Sequence, residues 1–306
     1  MNILIGHSGF VGSNLAGQYS FDGLFDETNV TDSFGSCPDT CFYAGVPAQK
    51  FLANRAPAQD RQTIETAIQN IQRIAPRRLM LISTIDVFQI PAGPDETAAV
   101  NINGLHPYGL HRYQLEEWVR ENIADHCVVR LPALFGKNLK KNFLYDLIHF
   151  TPTMLSAEKF AALRALDPFL EPYYALADNG MYTVAALSGD EKQALRGYFE
   201  YVGFSAMNFT DSRATFPFYN LAYLRRHIDA ALAREIKLLH CAVESLTAAE
   251  IVRAVRGREF VNELPGSVAH YDFASIHAEA LGGQGTYLFN KEQVMADIIA
   301  FVEGSE

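Results

Sequence analysis

The sequence has few cysteines, no excess of positive charge and no long apolar run. Its 306 residues include 25 Lys and Arg against 35 Asp and Glu, which gives a formal net charge of −10 at pH 7. That sign argues against nucleic acid and anionic membrane surfaces as partners. No window approaches the roughly 20 consecutive apolar residues that cross a bilayer, so we expect no membrane-spanning segment.

The four cysteines do not form a metal-binding pattern. Cys37 and Cys41 are four positions apart, but Cys127 and Cys241 are isolated, and no second pair completes a zinc site. We therefore expect no bound metal and four reduced thiols in a cytoplasmic protein. The N-terminus has no basic region and leads directly into a glycine loop, which is not the pattern of a secretory signal peptide.

The remaining composition is that of an ordinary globular protein. Apolar residues make up 49% of the chain and charged residues 20%, which is typical of a folded domain with a packed core. A chain of this length suits one or two domains.

The opening residues, MNILIGHSGFVGSN, predict a strand, a glycine loop and a helix. Asn2 to Ile5 is a short apolar run typical of a buried parallel strand, and Phe10 to Tyr19 carries apolar residues at helical spacing. Gly6, Gly9 and Gly12 follow one another at three-residue intervals. Between a strand and a helix, such glycines allow a tight turn, close approach to a pyrophosphate and close helix packing. The alternative is an ordinary strand-turn-helix, because three spaced glycines alone are a weak signal.

Strands alternating with helices predict a doubly wound parallel α/β sheet. We expect the next strands at Leu24–Phe25, Thr40–Ala44, Arg78–Ser83 and Cys127–Arg130, and an edge strand at Ile236–Cys241. An apolar face predicts a helix from Asp60 to Ile74, with Asp60 as its N-cap. Because ligands of such sheets bind at the carboxyl ends of the strands, Gly6, Ala44 and Thr84 should surround one crevice.

An acidic pair follows the short second strand. In dinucleotide folds, a carboxylate at this point hydrogen-bonds the ribose hydroxyls of NAD and repels the extra phosphate of NADP. Asp26 or Glu27 would therefore favour NAD, with NADP as the alternative, and no arginine lies nearby in the sequence to bind a phosphate. A plain solvated acidic turn is an equally good interpretation.

A hydroxyl, a phenol and a cation are the candidate catalytic groups. Thr84 follows its strand directly, and Tyr108 begins a predicted helix that runs to about Ile123. Arg112 is four residues after Tyr108, so the two side chains share a helix face. A neighbouring cation favours the phenolate and lowers a tyrosine pKa from its usual value near 10. Thr84 could then hold a substrate oxygen while Tyr108 gives or takes the proton.

Several motifs together resemble the extended short-chain dehydrogenase/reductase family, in its branch of nucleotide-sugar epimerases, dehydratases and reductases. The motifs are Gly6/Gly9/Gly12, Ser83-Thr84 with Val87-Phe88, Tyr108-Gly109 followed by Glu116, and the run from Arg130 to Gly136. The resemblance covers the first half of the chain well and the second half faintly. It implies a Rossmann-type doubly wound parallel sheet with a smaller, interleaved C-terminal substrate-binding domain.

The resemblance also implies roles for individual residues. It implies that Thr84 donates to the substrate oxygen and that Tyr108 is the catalytic acid/base. It also implies that the chain at Leu131 passes behind the nicotinamide. The residues expected to hold the cofactor are Gly6, Ser8, Gly9, Phe10, Val11, Gly12, Asp26, Ala44, Gly45, Tyr108, Arg112 and Leu131.

Arg112 is where the sequence departs from the family. The family places a lysine there, which binds the nicotinamide ribose and lowers the tyrosine pKa. Arginine keeps the charge, but it is bulkier and is not a conservative exchange at a shaped site. Either Arg112 performs the work of the lysine with shifted geometry, or the site keeps its cofactor and has lost full activity.

The second half is expected to bind substrate. Lys137 to Asn142 carries three lysines and two amides in an otherwise acidic chain, so Asn142 is a candidate contact for an anionic substrate. Clustered lysines at a helix start are equally often simply solvated. Arg213 precedes an aromatic segment and resembles the nucleotide-diphosphate contact of the family. We expect residues 1–150 to form the NAD(P)-binding domain and residues 151–306 the substrate-binding region, with about 236–257 returning to the sheet edge.

Other polar residues near the motifs receive structural interpretations. His7 should line the cofactor loop without catalysing. His111 faces away from Tyr108 on helical spacing, which favours a surface or packing role. Asp95 and Glu96 could lie near the substrate mouth, but an acidic solvated loop is the better interpretation.

The sequence therefore predicts an NAD(P)-dependent enzyme that oxidises, reduces or epimerises a nucleotide sugar. The resemblance alone implies a homodimer. The competing hypothesis is a cofactor-binding sensor or scaffold with a weakened site, which is motivated by Arg112.

Overall fold

Short runs rich in β-branched, aliphatic and aromatic residues form the strands. The structure is a computed structural model and describes residues 1–305. In chain order the strands are β1 (Asn2–Ile5), β2 (Gly23–Phe25), β3 (Thr40–Tyr43), β4 (Arg78–Thr84), β5 (His126–Leu131), β6 (Ala133–Phe135), β7 (Met154–Ser156), β8 (Tyr174–Leu176), β9 (Met181–Val184), β10 (Thr215–Phe216), β11 (Phe218–Asn220), β12 (Leu238–His240) and β13 (Leu246–Thr247).

The helices alternate with these strands through the first part of the chain. In chain order they are α1 (Phe10–Ala16), α2 (Lys50–Arg55), α3 (Pro57–Ile74), α4 (Pro107–Asn122), α5 (Phe143–His149), α6 (Ala157–Leu166), α7 (Gly189–Tyr201), α8 (Leu224–Leu232), α9 (Ala248–Arg256) and α10 (Lys291–Glu303). Both α3 and α4 begin with a proline, whose fixed φ suits the first helical position. None of the helices in residues 1–305 combines the length and apolarity needed to span a bilayer.

Six strands form one parallel sheet in the order β12-β5-β4-β3-β1-β2. The chain runs from β1 to β2 on one side and then crosses to β3 on the other side of β1. The topological switch point therefore lies between the carboxyl ends of β1 and β3, where Ile5 pairs with Tyr43. The doubly wound parallel sheet expected from the sequence is confirmed, and β12 forms its edge.

Successive side chains of each strand point to opposite faces of this sheet, and both faces are buried. On one face, Ile3 and Leu81 belong to a core cluster that also contains Ile64 and Ile71 of α3 and Leu115 of α4. The residues between them in the strands point to the opposite face and are also buried, including Leu4, Phe42, Met80 and Val129. The packing of α3 and α4 on the sheet places the start of α4 beside the end of β4.

The remaining strands form smaller sheets. β11 pairs with β6 in parallel, β10 pairs with β13 in antiparallel fashion, and β7, β9 and β8 form an antiparallel sheet.

The chain divides into two units, each assembled from separate stretches. The first unit contains Met1–Leu139, Thr215–Thr247 and His270–Ile298, and it includes the six-stranded sheet. The second unit contains Lys140–Ala214, Ala248–Ala269 and the residues from 299 onward, and it includes the β7-β9-β8 sheet and the helices α5, α6, α7 and α9.

Two local predictions are wrong. The first helix ends at Ala16 instead of Tyr19, because Gly17 follows and the backbone N–H groups of Gln18 and Tyr19 both bond to the Leu15 carbonyl. Asp60 does not cap α3, because the helix begins at Pro57 and Asp60 lies buried within its first turn.

Candidate active site

A cavity of about 930 Å³ opens at the carboxyl ends of β1, β3, β4 and β5, and all of its lining residues belong to the first unit. Of the twelve residues expected to hold a cofactor, Gly12 alone is not part of the lining. Thr84 also lines the cavity. The crevice that the sequence predicted around Gly6, Ala44 and Thr84 is therefore present.

The glycine loop is shaped by close backbone contacts. Gly6 has a φ of +87°, and a Cβ atom there would lie 2.5 Å from the carbonyl oxygen of Ala44. A Cβ atom at Gly12 would lie 1.9 Å from the Gly6 carbonyl oxygen, whereas one at Gly9 would lie 3.3 Å from it. A side chain at position 6 or 12 would thus collide with backbone atoms, which explains the glycine at each position. Gly9 leaves open backbone facing the cavity, which is the cradle that a pyrophosphate needs.

The acidic turn after β2 reaches the same cavity. Asp26 follows Phe25, whose carbonyl accepts the Gly6 N–H at 2.7 Å, and both Asp26 and Glu27 line the cavity. The Asp26 carboxylate accepts the backbone N–H of Thr28 at 3.0 Å and its hydroxyl at 2.7 Å. These two hydrogen bonds lower the pKa of Asp26 from its usual value. The carboxylate is thus a fixed anion at the end of β2.

Tyr108 and Thr84 meet inside the cavity. Both residues line it, the Thr84 hydroxyl lies close enough to the phenol to lower its pKa, and Tyr108 is only 7% exposed. The backbone N–H of Tyr108 donates to Asn54 Oδ1 at 3.0 Å. At Gly109, a Cβ atom would lie 2.1 Å from the Asp86 carbonyl oxygen, so the loop after β4 packs directly on the start of α4. This contact explains why glycine follows the tyrosine.

The pKa of Tyr108 departs from the sequence expectation. Burial raises the pKa of its phenol above the usual value, and this effect outweighs the opposing influences of Arg112, Thr84 and Lys50. Arg112 does lower the pKa of Tyr108 as expected, but the net change in that pKa is upward. Tyr108 is therefore protonated at neutral pH.

Arg112 lies beside Tyr108 as helical spacing predicts, and protein groups hold its guanidinium. It is 5% exposed and donates to both carboxylate oxygens of Asp60, at 2.7 and 2.6 Å. Its second terminal nitrogen donates to the Pro47 carbonyl at 2.7 Å. His111 Nδ1 also lies 2.7 Å from an Asp60 oxygen, so His111 is a buried packing residue. The sequence had offered Asp60 only as a cap, and its pairing across two helices carries no local signal.

A second ion pair lies at the same end of the sheet. Lys50 Nζ is 2.7 Å from Asp86 Oδ1, and Asp86 lines the cavity. The backbone N–H of Asp86 donates to Thr84 Oγ1 at 3.1 Å. Sequence reasoning missed both residues, although Asp86 stands only two positions after Thr84 and could have been found from that spacing.

The two expected substrate residues of the second unit have partners within that unit. Asn142 Oδ1 accepts the backbone N–H groups of Leu144 and Tyr145, at 3.0 and 3.1 Å, and so caps α5. Arg213 pairs with Asp211 through Nε and Nη2, at 2.9 and 2.8 Å, and with Glu263 at 3.2 Å. Neither Asn142 nor Arg213 lines the cavity of the first unit.

Two other acidic residues also have structural roles. Asp95 accepts the backbone N–H and hydroxyl of Thr97, at 2.8 and 2.6 Å, which closes a turn. Glu96 accepts the backbone N–H of His240, at 2.8 Å, and the hydroxyl of Ser275, at 2.6 Å. Glu96 thus ties the end of β12 to the loop that contains Ser275, a structural role that the sequence did not predict.

Comparison with known proteins identifies the fold. No protein-family model matches the chain, and no curated protein sequence matches it. Among solved structures, the chain is similar to dTDP-4-dehydrorhamnose reductase from Yersinia enterocolitica, at 13% identity and a TM-score of 0.65, with 99% of each chain covered. It is similar to the Bacillus anthracis dTDP-4-dehydrorhamnose reductase in complex with NADP, at 16% identity and a TM-score of 0.62, with 100% of this chain and 99% of that chain covered.

An epimerase gives a comparable match. A mutant UDP-glucuronic acid 4-epimerase from Bacillus cereus, in complex with a fluorinated UDP-sugar and NAD, is 13% identical with a TM-score of 0.57 and coverage of 100% of this chain and 99% of that chain. At such identities the likeness establishes the fold. The Rossmann-type α/β fold predicted from the sequence is confirmed, and the resemblance to extended short-chain dehydrogenases/reductases holds at the level of that fold.

Proposed function

We propose that the protein is an NAD(P)-dependent oxidoreductase or epimerase that acts on a nucleotide sugar. The observation that carries the proposal is that Thr84 and Tyr108 line one cavity together with the glycine loop. A hydroxyl and a phenol at the carboxyl ends of parallel strands suit proton transfer next to a dinucleotide. The solved structures of the same fold include reductases and epimerases whose substrates are nucleotide sugars.

The lining residues fit a nicotinamide dinucleotide. Gly6 permits the tight turn beside Ala44, and Gly9 keeps its backbone free of a side chain at the cavity, which suits a pyrophosphate. We propose that the Asp26 carboxylate, at the end of β2, contacts the adenosine ribose, which would favour NAD over NADP. Ala44, Gly45 and Leu131 are the proposed neighbours of the nicotinamide. When bound, the cofactor supplies or accepts a hydride.

The chain supplies the proton chemistry. In our proposal, the Thr84 hydroxyl holds the substrate oxygen in line with the phenol of Tyr108. Because burial keeps Tyr108 protonated, it is ready to donate a proton to a carbonyl oxygen that is being reduced, and it takes the proton back in the oxidative direction. We assign Arg112 to positioning Tyr108, since its donors are directed to Asp60 and Pro47.

The proposed substrate contacts in the second unit need rearrangement. Arg213 would have to release Asp211 or Glu263 before it could pair with a diphosphate. Asn142 remains a proposed substrate contact, although its side-chain oxygen caps α5. We also propose that the protein is a homodimer and that it is located in the cytoplasm.

One observation favours a second candidate, a cofactor-binding sensor with a weakened site. Arg112, at the position of the family's lysine, is held by a buried carboxylate. In this candidate function, that pairing keeps Arg112 from doing the work of the lysine at the cofactor ribose.

The experiment that separates the two functions measures binding and turnover independently. Purified protein is titrated with NADH and NADPH, followed by nicotinamide fluorescence, and is then assayed with uridine, thymidine and guanosine diphosphate sugars. The enzyme proposal expects NADH binding and turnover of at least one sugar. Tyr108→Phe should keep the binding and lose the turnover, whereas Tyr113→Phe, on the same helix but outside the cavity lining, should keep both. Binding without turnover of any sugar would favour the sensor, and no binding would overturn both.

A further inference from the structure

Ser83 lines the same cavity as Thr84 and Tyr108, but the proposed mechanism gives it no task. We propose that Ser83 determines part of the ligand specificity of this cavity, because its hydroxyl is held as an acceptor that takes an N–H or O–H group of the bound ligand. The identity of that ligand rests on the proposed function. The direction of the hydrogen bond follows from the side chains packed behind Ser83.

The proton of the Ser83 hydroxyl is directed away from ligands, to a buried carboxylate. Ser83 Oγ donates to Glu116 Oε1 at 2.5 Å, and Glu116 is fully buried. Arg130 Nε lies 3.1 Å from each carboxylate oxygen, while Nη2 atoms of Arg130 and Arg120 donate to Oε2 at 2.6 and 2.8 Å. Two arginines stabilise the ionised form of Glu116, and a carboxylate can only accept hydrogen bonds. The Ser83 oxygen therefore has only lone pairs left for the cavity.

The direction of this hydrogen bond is fixed further back in the same network. Arg130 is 1% exposed, and its Nη1 lies 3.2 Å from Nε2 of the buried His240. A guanidinium has donors only, so Nε2 accepts, and His240 carries its proton on Nδ1, which donates to the Ala274 carbonyl at 3.1 Å. The buried groups from Ala274 to Ser83 thus have one consistent set of proton positions.

Thr84, the next residue, has the opposite polarity. Its Oγ1 accepts the backbone N–H of Asp86 at 3.1 Å, so its own proton can be given to another acceptor. The cavity therefore offers a hydrogen-bond acceptor at Ser83 directly beside a donor at Thr84. A ligand atom that has only lone pairs would be repelled at Ser83, whereas an N–H or O–H group is bound.

Two groups of the proposed ligands could supply this proton. One is the amino group of the nicotinamide carboxamide, because Leu131, a proposed neighbour of the nicotinamide, pairs with Thr84 across β4 and β5. The other is a hydroxyl of the sugar, because the substrate oxygen is proposed to lie at Thr84. Both are neutral hydrogen-bond donors, and binding measurements with a cofactor analogue separate them.

The first measurement compares two dinucleotides by isothermal titration calorimetry with the full-length protein. NADH carries the carboxamide amino group, and reduced 3-acetylpyridine adenine dinucleotide has a methyl group in its place. If the carboxamide is the donor, Ser83→Ala should lower the affinity for NADH about three- to tenfold, as expected for one neutral hydrogen bond, and leave that for the analogue unchanged. Ser83→Thr keeps the hydroxyl and should bind both dinucleotides as the wild type does.

The second measurement titrates the NADH-loaded protein with uridine, thymidine and guanosine diphosphate sugars. If a sugar hydroxyl is the donor, Ser83→Ala should bind both dinucleotides normally. The three- to tenfold loss should then appear in the affinity for the nucleotide sugar, and Ser83→Thr should restore it.

Glu116→Gln tests the polarity of Ser83 itself. Both arginines donate to Oε2, whereas Ser83 donates to Oε1. The amide oxygen must therefore take the place of Oε2, which puts the amide N–H₂ group beside Ser83. Ser83 then accepts from the amide and turns its proton towards the cavity. We expect the loss seen in Ser83→Ala, and no further loss in the double variant Ser83→Ala/Glu116→Gln, whereas a merely structural effect would persist in the double variant.

Each outcome decides the proposal. A loss confined to NADH or to the nucleotide sugar in Ser83→Ala, repeated in Glu116→Gln and not enlarged in the double variant, supports it. Equal losses for NADH and its analogue, or no loss with any ligand, overturn it. If Glu116→Gln does not fold, the comparison of Ser83→Ala with Ser83→Thr decides alone. Failure of the proposed function would appear differently, as no turnover of any nucleotide sugar while the discrimination persists, and absence of all dinucleotide binding would overturn both.

Discussion

The guanidinium carbon of Arg112 lies 3.9 Å from the centroid of the Tyr108 ring, one helical turn further along α4. The cation lies over the ring while one of its terminal nitrogens donates to both carboxylate oxygens of Asp60. A planar guanidinium can stack and pair with a carboxylate at the same time, whereas a lysine ammonium is a compact point charge. An arginine at this position can therefore contact the Tyr108 ring and the Asp60 carboxylate at the same time.

Arg112→Lys should therefore destabilise the protein although it preserves the charge. The ammonium has no planar fork with which to bond Asp60 and the Pro47 carbonyl as the guanidinium does, so the buried Asp60 carboxylate is less well satisfied, at a cost of about 1–3 kcal/mol in the free energy of unfolding. Arg112→Ala should cost about 3–5 kcal/mol, because Asp60 is then left buried with His111 alone. Urea unfolding measures both. Arg61→Lys, at an exposed pair on α3, is the control and should change stability by about 0.5 kcal/mol or less.

The glycine loop gives a prediction about sterics. Gly12→Ala would place a methyl group 1.9 Å from the Gly6 carbonyl, so the loop or α1 must move. We expect a loss of stability of several kcal/mol, on the order of 3, together with loss of NADH binding. Gly17→Ala is the matched control, because its Cβ atom meets nothing closer than 3.6 Å. Equal thermal midpoints for the two variants would contradict the close approach of α1 to the loop.

Gly9→Ala should behave differently from Gly12→Ala. Its Cβ atom would lie 3.3 Å from the Gly6 carbonyl, a contact that small shifts relieve, so the fold should survive within about 1 kcal/mol. The added methyl group would nevertheless face the space proposed for the pyrophosphate, and NADH affinity should fall at least tenfold. Fluorescence titration with NADH checks the affinity, and urea unfolding checks the fold. Normal affinity would place the pyrophosphate elsewhere.

The cofactor preference should depend on Asp26. In the proposed complex its carboxylate accepts hydrogen bonds from ribose hydroxyls, and such bonds to a charged group are worth about 1.5–3 kcal/mol, or roughly 10–150-fold in affinity. Asp26→Ser should lower the affinity for NADH by that factor. It should lower the affinity for NADPH much less, because the repulsion of the extra phosphate is removed. Glu27→Gln, at the neighbouring cavity residue, tests the other carboxylate of the pair in the same way. An unchanged ratio of the two dissociation constants would remove Asp26 from the cofactor site.

The sheet and the cavity could be predicted because their signals are local. The apolar run of Asn2 to Ile5, the glycine spacing, and the four-residue interval from Tyr108 to Arg112 each act within a few residues of the sequence. The roles of Asp60 and Lys50 could not be found in this way. Asp60 meets Arg112 across 52 residues and Lys50 meets Asp86 across 36, and an isolated acid or lysine has no pattern that identifies its partner. The direction of the Tyr108 pKa was also out of reach, because it depends on burial.

The buried carboxylate of Asp146, in α5 of the second unit, gives a prediction about pH. Burial raises the pKa of Asp146 to about 7, well above about 3.9 for an aspartate in an unfolded chain. A raised pKa means that the folded protein holds this proton more tightly. The resulting stabilisation is fully present below about pH 4 and is lost as the pH rises through about 7.

Asp146→Asn should remove this dependence. At about pH 8 the variant should be more stable than the wild type, on the order of 2 kcal/mol, which is less than the full 1.36 kcal/mol per pKa unit because solvent screens a partly buried group. The difference should shrink steadily towards pH 5, because the wild-type carboxyl is then protonated in the folded state. Urea unfolding across this pH range measures it. Asp178→Asn, at an exposed turn of the same unit, is the control for a general effect of removing one negative charge. A pH-independent difference for Asp146→Asn, parallel to that control, would show that burial does not hold the carboxyl in its protonated form.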